Sequence, residues 1–430
     1  MNVKELRIKY PAFIYKSFDH RLYGSDLVMS FEFLTPPLEF HPKVVIRNIP
    51  VARFKSLDKS VLDNLIFHLG LAEVPSYWKA TCSPIIQIDA GRLSSEQIDW
   101  WHKLLIKGMG QYFYENKIDF TQNDFLTITS NGKGEFSKAE VRNKKILIPV
   151  GGGKDSAVTL GIVSKNFDDV GAAILENTNT ISNIEPSVRL AKMSKTKEII
   201  IVERTIDQRL LDLNKEGFLN GHTPFSSYLA FLFILVAYLF DYKYLTLSNE
   251  RSSDESNTEY LGEKINHQYT KTFEFEKDFK KYNEKYLSNV NYFSFLRPLY
   301  ELQIARIFSN YPKYFSVIRS CNVGAKAGVW CCHCPKCLST FILLQPFFKD
   351  KILEVFPRNL MEDKTLTPLL NTLVSKNSVK PFECIGTRDE FVAALESKDK
   401  PELFNEILNS WGDNNLPKKF ETLLMKELNE

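Results

Sequence analysis

The chain has 430 residues, 44% of them hydrophobic and 25% charged, the balance of a folded protein and not of a disordered or fibrous one. That length exceeds one ordinary core, so two or three domains are expected. A formal charge of +3 argues against a nucleic-acid-binding face spread over the whole molecule and leaves only a local patch open.

The segment MNVKELRIKYPAFIYKSF has no apolar run behind its basic start, so no secretory signal is expected in it. Residues 1–140 read as a mixed α+β domain. Segments 26–33 (DLVMSFEF) and 44–47 (VVIR) alternate or cluster like strands, with Pro36, Pro37 and Pro42 breaking between them. Residues 94–114 read as a helix: Ser94 and Gln97 have capping-box spacing, and Trp100, Trp101, Leu104, Leu105 and Met109 follow at helical intervals. Both tryptophans are expected in the core and not as a base-stacking surface. The polar stretch 121–141, with Asn131-Gly132, links this region to the next.

At Lys145 the pattern changes. A strand is expected at 146–150, a helix at 156–163, and further strands at 171–175, 198–202 and 244–247 with helical patterns between them. That alternation predicts an α/β fold with a doubly wound parallel sheet. The longest apolar run, residues 228–240, has 13 residues, short of the roughly 20 that span a bilayer. It is expected as a buried helix, and the protein as cytoplasmic with no membrane partner. From about residue 336 the chain looks mostly helical.

The turn between the first of these strands and its helix reads Gly151-Gly152-Gly153-Lys154-Asp155-Ser156. Glycines let a backbone approach an anion closely, and the following helix aims its free N–H groups and positive dipole end at the same point. Lys154 adds charge and Ser156 a hydroxyl. Asp155 suits a place beside phosphates if it helps hold a magnesium ion. The strand before and the helix after are the context that phosphate binding requires.

Seven cysteines are present, five of them between Cys321 and Cys337. An odd, clustered count argues for a metal site and against a disulfide framework. Cys331, Cys334 and Cys337 form CxxCxxC, with Cys321 ten residues upstream. Four thiolates at such spacing suit tetrahedral zinc in a closed, structural site. Cys332 and His333 are spare candidates for the fourth ligand, and an iron–sulfur cluster is the competing occupant.

The loop matches neither GxxxxGK[ST] nor GxGxxG. It resembles the SGGxDS signature of the ATP pyrophosphatases, the PP-loop superfamily, with Gly151 where that signature has its first serine. The resemblance implies ATP cleavage between the α- and β-phosphates, with Gly151, Gly152, Gly153, Lys154, Asp155 and Ser156 holding the nucleotide. It also places Glu176 and Asn177, at the end of the second strand, near the adenosine. Further strings narrow the family: SYWKATCSP at 76–84, LSNERS at 247–252, NHQY at 266–269, and Ser320-Cys321-Asn322 leading to the cysteine cluster. Together they resemble the MurL family of UDP-N-acetylmuramoyl-L-alanyl-L-glutamate epimerases, over residues 65–345. The implied protein consumes ATP with Mg2+ and inverts the terminal L-glutamate of the UDP-MurNAc-dipeptide through an acyl-adenylate, releasing AMP and pyrophosphate. The domains would then be 1–140, a candidate platform for the UDP-sugar; 141–320, the ATP-binding domain; and 321–430, the cysteine site with its helical tail.

A carboxylate makes its α-proton hard to remove, whereas an acyl-adenylate lets the carbonyl accept the electrons, so a base and an acid are needed. Cys82, His222 and His267 are the candidates, each against the alternative of a structural side chain; Lys79 is a candidate for binding substrate. Glu250 and Arg251 follow the fourth strand, where ligands of open α/β sheets collect. There Glu250 could hold magnesium and Arg251 pair with a phosphate or carboxylate. Two other readings compete. A nucleoside- or tRNA-modifying enzyme resembling the 7-cyano-7-deazaguanine synthases would share the loop and zinc site but not the SYWKATCSP segment. A zinc-containing nucleic-acid-binding module would need a strongly basic face, and no nucleic acid partner is expected.

Overall fold

A computed structural model describes residues 2–134, 136–179 and 183–429. The strands in chain order are β1 (Ala12–Tyr23), β2 (Asp26–Thr35), β3 (Leu38–Phe40), β4 (Lys43–Ile46), β5 (Ile85–Ile88), β6 (Thr127–Ser130) and β7 (Lys145–Pro149). They continue as β8 (Val170–Asn177), β9 (Glu198–Thr205), β10 (Tyr242–Leu247), β11 (Thr258–Tyr260), β12 (Glu263–Ile265) and β13 (Asn291–Ser294). All but β11 and β12 join one sheet, ordered β13-β10-β7-β8-β9-β4-β2-β1-β5-β6, with β3 on the side of β2.

The five strands β13, β10, β7, β8 and β9 run parallel, as do β1, β5 and β6. Antiparallel β2 and β4 stand between the two groups. Residue 140 marks no break in the sheet, because β4 pairs with β9, Val45 opposite Glu203. The protein is therefore a mixed α/β fold on one large, mostly parallel sheet.

Parallel strands buried on both faces explain the short, wholly apolar runs that stood out in the sequence. Leu147, Ala173, Val202 and Leu245 enter one core cluster, while Ile146, Ile148, Ala172 and Ile174 enter a second on the opposite face. Helix Phe225–Phe240 fills the first cluster and packs against helix Lys59–Trp78. That double covering is why residues 228–240 are apolar on every side, and among the described residues no helix is long and apolar enough to cross a membrane. Helices Lys154–Asn166, Glu185–Met193 and Glu301–Phe308 cover the second face. The C-terminal helices Pro335–Phe348, Arg388–Leu395 and Lys418–Asn429 close over that cluster.

The expected capping box is present, with the Ser94 hydroxyl accepting from Gln97 N and the Gln97 side chain accepting from Ser94 N. Its helix spans Ser95–Gly108, and a separate helix Gly110–Glu115 follows. Trp101 is core, donating from Nε1 to the Tyr282 hydroxyl at 3.0 Å and stacking on Phe231.

Candidate active site

Strand order reverses between β7 and β10. Chain connections leave β7 toward β8 and β9 on one side and later reach β10 and β13 on the other. A crevice opens at such a point beyond the carboxyl ends of the strands. Here it is a cavity of about 520 Å3 lined by the ends of β7 (Pro149, Val150, Gly151), β8 (Leu175, Asn177) and β10 (Leu247 to Glu250).

Gly152 has φ +83°, a left-handed conformation that favours glycine, and a Cβ there would lie 3.1 Å from Ser187 Oγ. Its carbonyl accepts from Arg319 N at 2.8 Å, pinning the turn. Gly151 faces open space and donates from N to Ser156 Oγ at 3.1 Å. Helix Lys154–Asn166 begins at Gly153 with no side chain capping it, so its first N–H groups remain for a ligand. Gly151, Gly153, Asp155 and Ser156 line the cavity.

Lys154 does not. Its buried ammonium reaches Asp155 Oδ1 at 2.5 Å and Glu301 Oε2 at 2.9 Å. Burial works against its charge, but those two carboxylates outweigh burial and hold its pKa up. Glu301 is buried too, yet Lys154, Lys336 and Lys271 keep it ionised. Glu250, 2% exposed, has its pKa raised by burial, with Asp155 and Glu301 adding to the rise and Lys271 opposing it. Burial also opposes Lys271, whose charge is held by Cys384, Glu250 and Asp155. Asp155, Glu250 and Lys271 thus face the cavity, with the buried Lys154 and Glu301 behind them.

His222 and His267 line the cavity with ring centroids 5.6 Å apart. Burial, then the charges of Lys79 and Lys271, pull His222 down to about 4. Burial and its cationic neighbours pull His267 down to about 2, so both rings are neutral at physiological pH. His267 Nδ1 lies 3.1 Å from Asn257 Oδ1, and the Asn257 amide donates to Pro381 O at 2.9 Å. The proton therefore sits on Nδ1, and Nε2 is a free acceptor, 3.9 Å from Cys384 Sγ. Lys79 stands just behind this wall, donating to Gly221 O at 3.0 Å, with burial lowering its pKa to about 8.

Other expected residues stand apart. Asn177 lines the cavity, whereas Glu176 does not. Arg251 turns away and lies over the Tyr300 ring at 4.5 Å. Cys82 is buried outside the cavity, its carbonyl accepting from Arg7 at 2.8 Å, and burial raises its thiol pKa. Sequence reasoning missed Glu301, Lys271 and Cys384. Lys271 follows the NHQY string by two residues and could have been included with it; Glu301 and Cys384 lie in segments with no motif.

Among the cavity residues, Asn177 Oδ1, Ser248 Oγ and Gln268 Oε1 are buried without a hydrogen-bond partner. Leaving such atoms unpaired costs about 1–3 kcal/mol each, and a polar ligand at the strand ends would satisfy them.

The four cysteine sulfurs of Cys321, Cys331, Cys334 and Cys337 lie within 4.8 Å of one another. The Cys334–Cys337, Cys331–Cys337 and Cys321–Cys334 separations are 3.5, 3.7 and 3.8 Å. A tetrahedron of sulfurs about 2.3 Å from zinc has edges of about 3.8 Å, so the group fits one metal ion. No disulfide competes for these thiols. Cys332 and His333 are not in the group: the Cys332 sulfur points to Trp330 O, and His333 is exposed. Cys321 lines the cavity, so the four-cysteine group adjoins the site.

Comparisons with known proteins match this arrangement to one family. The MurL N-terminal domain family matches residues 4–295, and the MurL C-terminal domain family matches residues 315–418. A protein of Salinispora tropica named UDP-N-acetyl-alpha-D-muramoyl-L-alanyl-L-glutamate epimerase is 30% identical over 88% of this chain and 80% of its own. Proteins with the same name from a Micromonospora strain and from Xanthomonas oryzae pv. oryzae are each 29% identical. They cover 88% and 74% of this chain, and 82% and 71% of their own. The chain belongs to the MurL family.

Proposed function

We propose that this protein is a cytoplasmic, ATP- and Mg2+-dependent isomerase of peptidoglycan precursor synthesis. It inverts the terminal L-glutamate of UDP-MurNAc-L-Ala-L-Glu to D-glutamate. The observation that carries the reading is the joining, in a MurL-family chain, of an uncapped helix N-terminus behind three glycines with three unpartnered polar atoms lining the same cavity. That arrangement suits a nucleotide. We read the β7–β10 crevice as a PP-loop site on a doubly wound sheet.

ATP is a substrate here. Gly151, Gly153 and Ser156 cradle its phosphates, and Asn177 offers Oδ1 to the adenosine. Asp155 and Glu250, the carboxylates of the cavity wall, would hold Mg2+, whose charge would neutralise the phosphates. Attack of the glutamate carboxylate on the α-phosphorus gives an acyl-adenylate and pyrophosphate. With the carboxylate charge gone, the α-proton can leave, its electrons passing to the carbonyl. The neutral rings of His222 and His267 are the groups nearest this chemistry. Hydrolysis of the adenylate releases AMP and makes the inversion run one way. Cys321, Cys331, Cys334 and Cys337 would hold zinc, which would tie the Cys321 loop beside the cavity. The UDP-sugar lies toward residues 1–140, on the side where Lys79 closes on Gly221.

The test is incubation with UDP-MurNAc-L-Ala-L-Glu, ATP and Mg2+, followed by acid hydrolysis and chiral chromatography. D-Glutamate and AMP in equal amounts support the reading. AMP accompanied by an amide or a ligated product, with L-glutamate retained, overturns it.

A further inference from the structure

The cavity contains a thiol that the reading above leaves without a task. Cys384 is half-buried, lines the cavity, and stands 3.9 Å from His267 Nε2. Behind the ring, Asn257 fixes its tautomer: Oδ1 accepts from His267 N at 3.0 Å and from Nδ1 at 3.1 Å. The Asn257 amide is itself held by Pro381 O, three residues before Cys384. On the other side, Lys271 is a cavity residue within hydrogen-bonding reach of the same sulfur. Thiol, imidazole and carboxamide in line form an arrangement that enzymes use to control a cysteine proton.

We propose that Cys384 is a catalytic acid of this site, returning a proton to the α-carbon of the activated glutamate, with Asn257 and His267 positioning it. This rests on the epimerase reading. The neutral, Nδ1-protonated ring offers Nε2 to the thiol hydrogen and so orients the sulfur. In the step, the S–H bond breaks and a C–H bond forms at the α-carbon, fed by the electron pair of the enolate. The S–H pair stays on sulfur as a thiolate, facing the Lys271 ammonium. A proton from water, relayed through His267 Nε2, restores the thiol, and the hydroxide left behind is neutralised by the α-proton that the preceding deprotonation gave up to solvent. No oxidant or second co-reactant enters. Glu250 and the loop stand nearer the phosphates, so activation of the carboxylate and return of the proton use different residues.

The experiment compares wild type with Cys384→Ser and Cys384→Ala on UDP-MurNAc-L-Ala-L-Glu with ATP and Mg2+, counting AMP released and D-glutamate formed. General-acid contributions are about 10²–10⁴-fold, so D-glutamate per AMP should fall at least about a hundredfold in both variants. A ratio equal to wild type overturns the proposal. If wild type forms no D-glutamate, the epimerase reading fails instead, and the two failures are told apart by that control. Should a variant not fold, wild type is alkylated with iodoacetamide and Cys384 occupancy is read by peptide mass mapping. Full modification of Cys384 with the ratio intact also overturns it, and a ratio falling in step with occupancy supports it. Asn257→Ala should lower the D-glutamate per AMP ratio more than it lowers AMP release; a role confined to packing would lower both together.

Discussion

Glu390 carries an electrostatic cost that a single substitution should remove. It is fully buried at the start of helix Arg388–Leu395, accepting from Leu302 N at 2.8 Å and from Thr387 N at 2.8 Å. Burial, and then the nearby charge of Glu301, push its pKa from 4.5 up to about 7. A folded-state pKa above the unfolded one means that the folded protein holds this proton more tightly. The stabilisation is therefore complete below the unfolded value and is lost as pH climbs toward the folded value. Between about pH 5 and about pH 8 the linkage integral for such a shift is about 2.5 kcal/mol. Glu390→Gln is neutral throughout, and its carbonyl oxygen still serves the capping box. Urea unfolding of both proteins at the two pH values gives the measurement. Wild type should lose about 2.5 kcal/mol relative to the variant on going from acid to alkaline conditions. Parallel pH dependences, within about 0.5 kcal/mol, would show that Glu390 is not the protonated neighbour of Glu301 and would refute the reasoning.

Asp155→Ala should abolish AMP release with an unchanged circular dichroism spectrum, and retained pyrophosphate release would remove Asp155 from the mechanism. Glu73→Gln leaves the buried Arg204 guanidinium, which meets Glu73 at 2.6 Å, without its countercharge. It should cost about 3–5 kcal/mol in urea unfolding, with the Glu73→Met/Arg204→Met pair recovering part of that loss. Cys337→Ser should lower bound zinc, measured by mass spectrometry after dialysis, from one ion per chain to none, and should lower the melting temperature. Full zinc retention would remove Cys337 from the ligand set.

The strands around the glycine turn were legible because each is a short apolar run ending in glycine or polar residues; the structure moves β7 by one residue and lengthens β8, β9 and β10 by a few. Capping at Ser94 and Gln97 was legible because it needs only local chemistry. Helix Lys59–Trp78 was not: it is buried nearly all round, so it shows no polar face and no stripe. The continuity of the sheet through β4 and β9 was hidden as well, because pairing between strands some 150 residues apart leaves no local mark. In the site, Asp155, Ser156, Asn177, Glu250, His222 and His267 were found from a motif or from polar neighbours after a strand. Lys271 lies two residues past the NHQY string, whereas Cys384 reaches the cavity, and Glu301 the buried Lys154 behind it, from segments that only the tertiary fold brings there. Cys82 drew notice as a cysteine outside the metal cluster, and its isolation reflects a packed thiol beside Arg7.

The central claim is that activation of the carboxylate drives the inversion. The most direct measurement runs the reaction with UDP-MurNAc-L-Ala-L-Glu and Mg2+ in deuterated water, with and without ATP, and reads deuterium at the glutamate α-carbon by mass spectrometry. The account predicts deuterium in the D-glutamate product only when ATP is present, with one AMP released for each inverted centre. Deuterium entering at the same rate without ATP, or inversion without AMP, would contradict it.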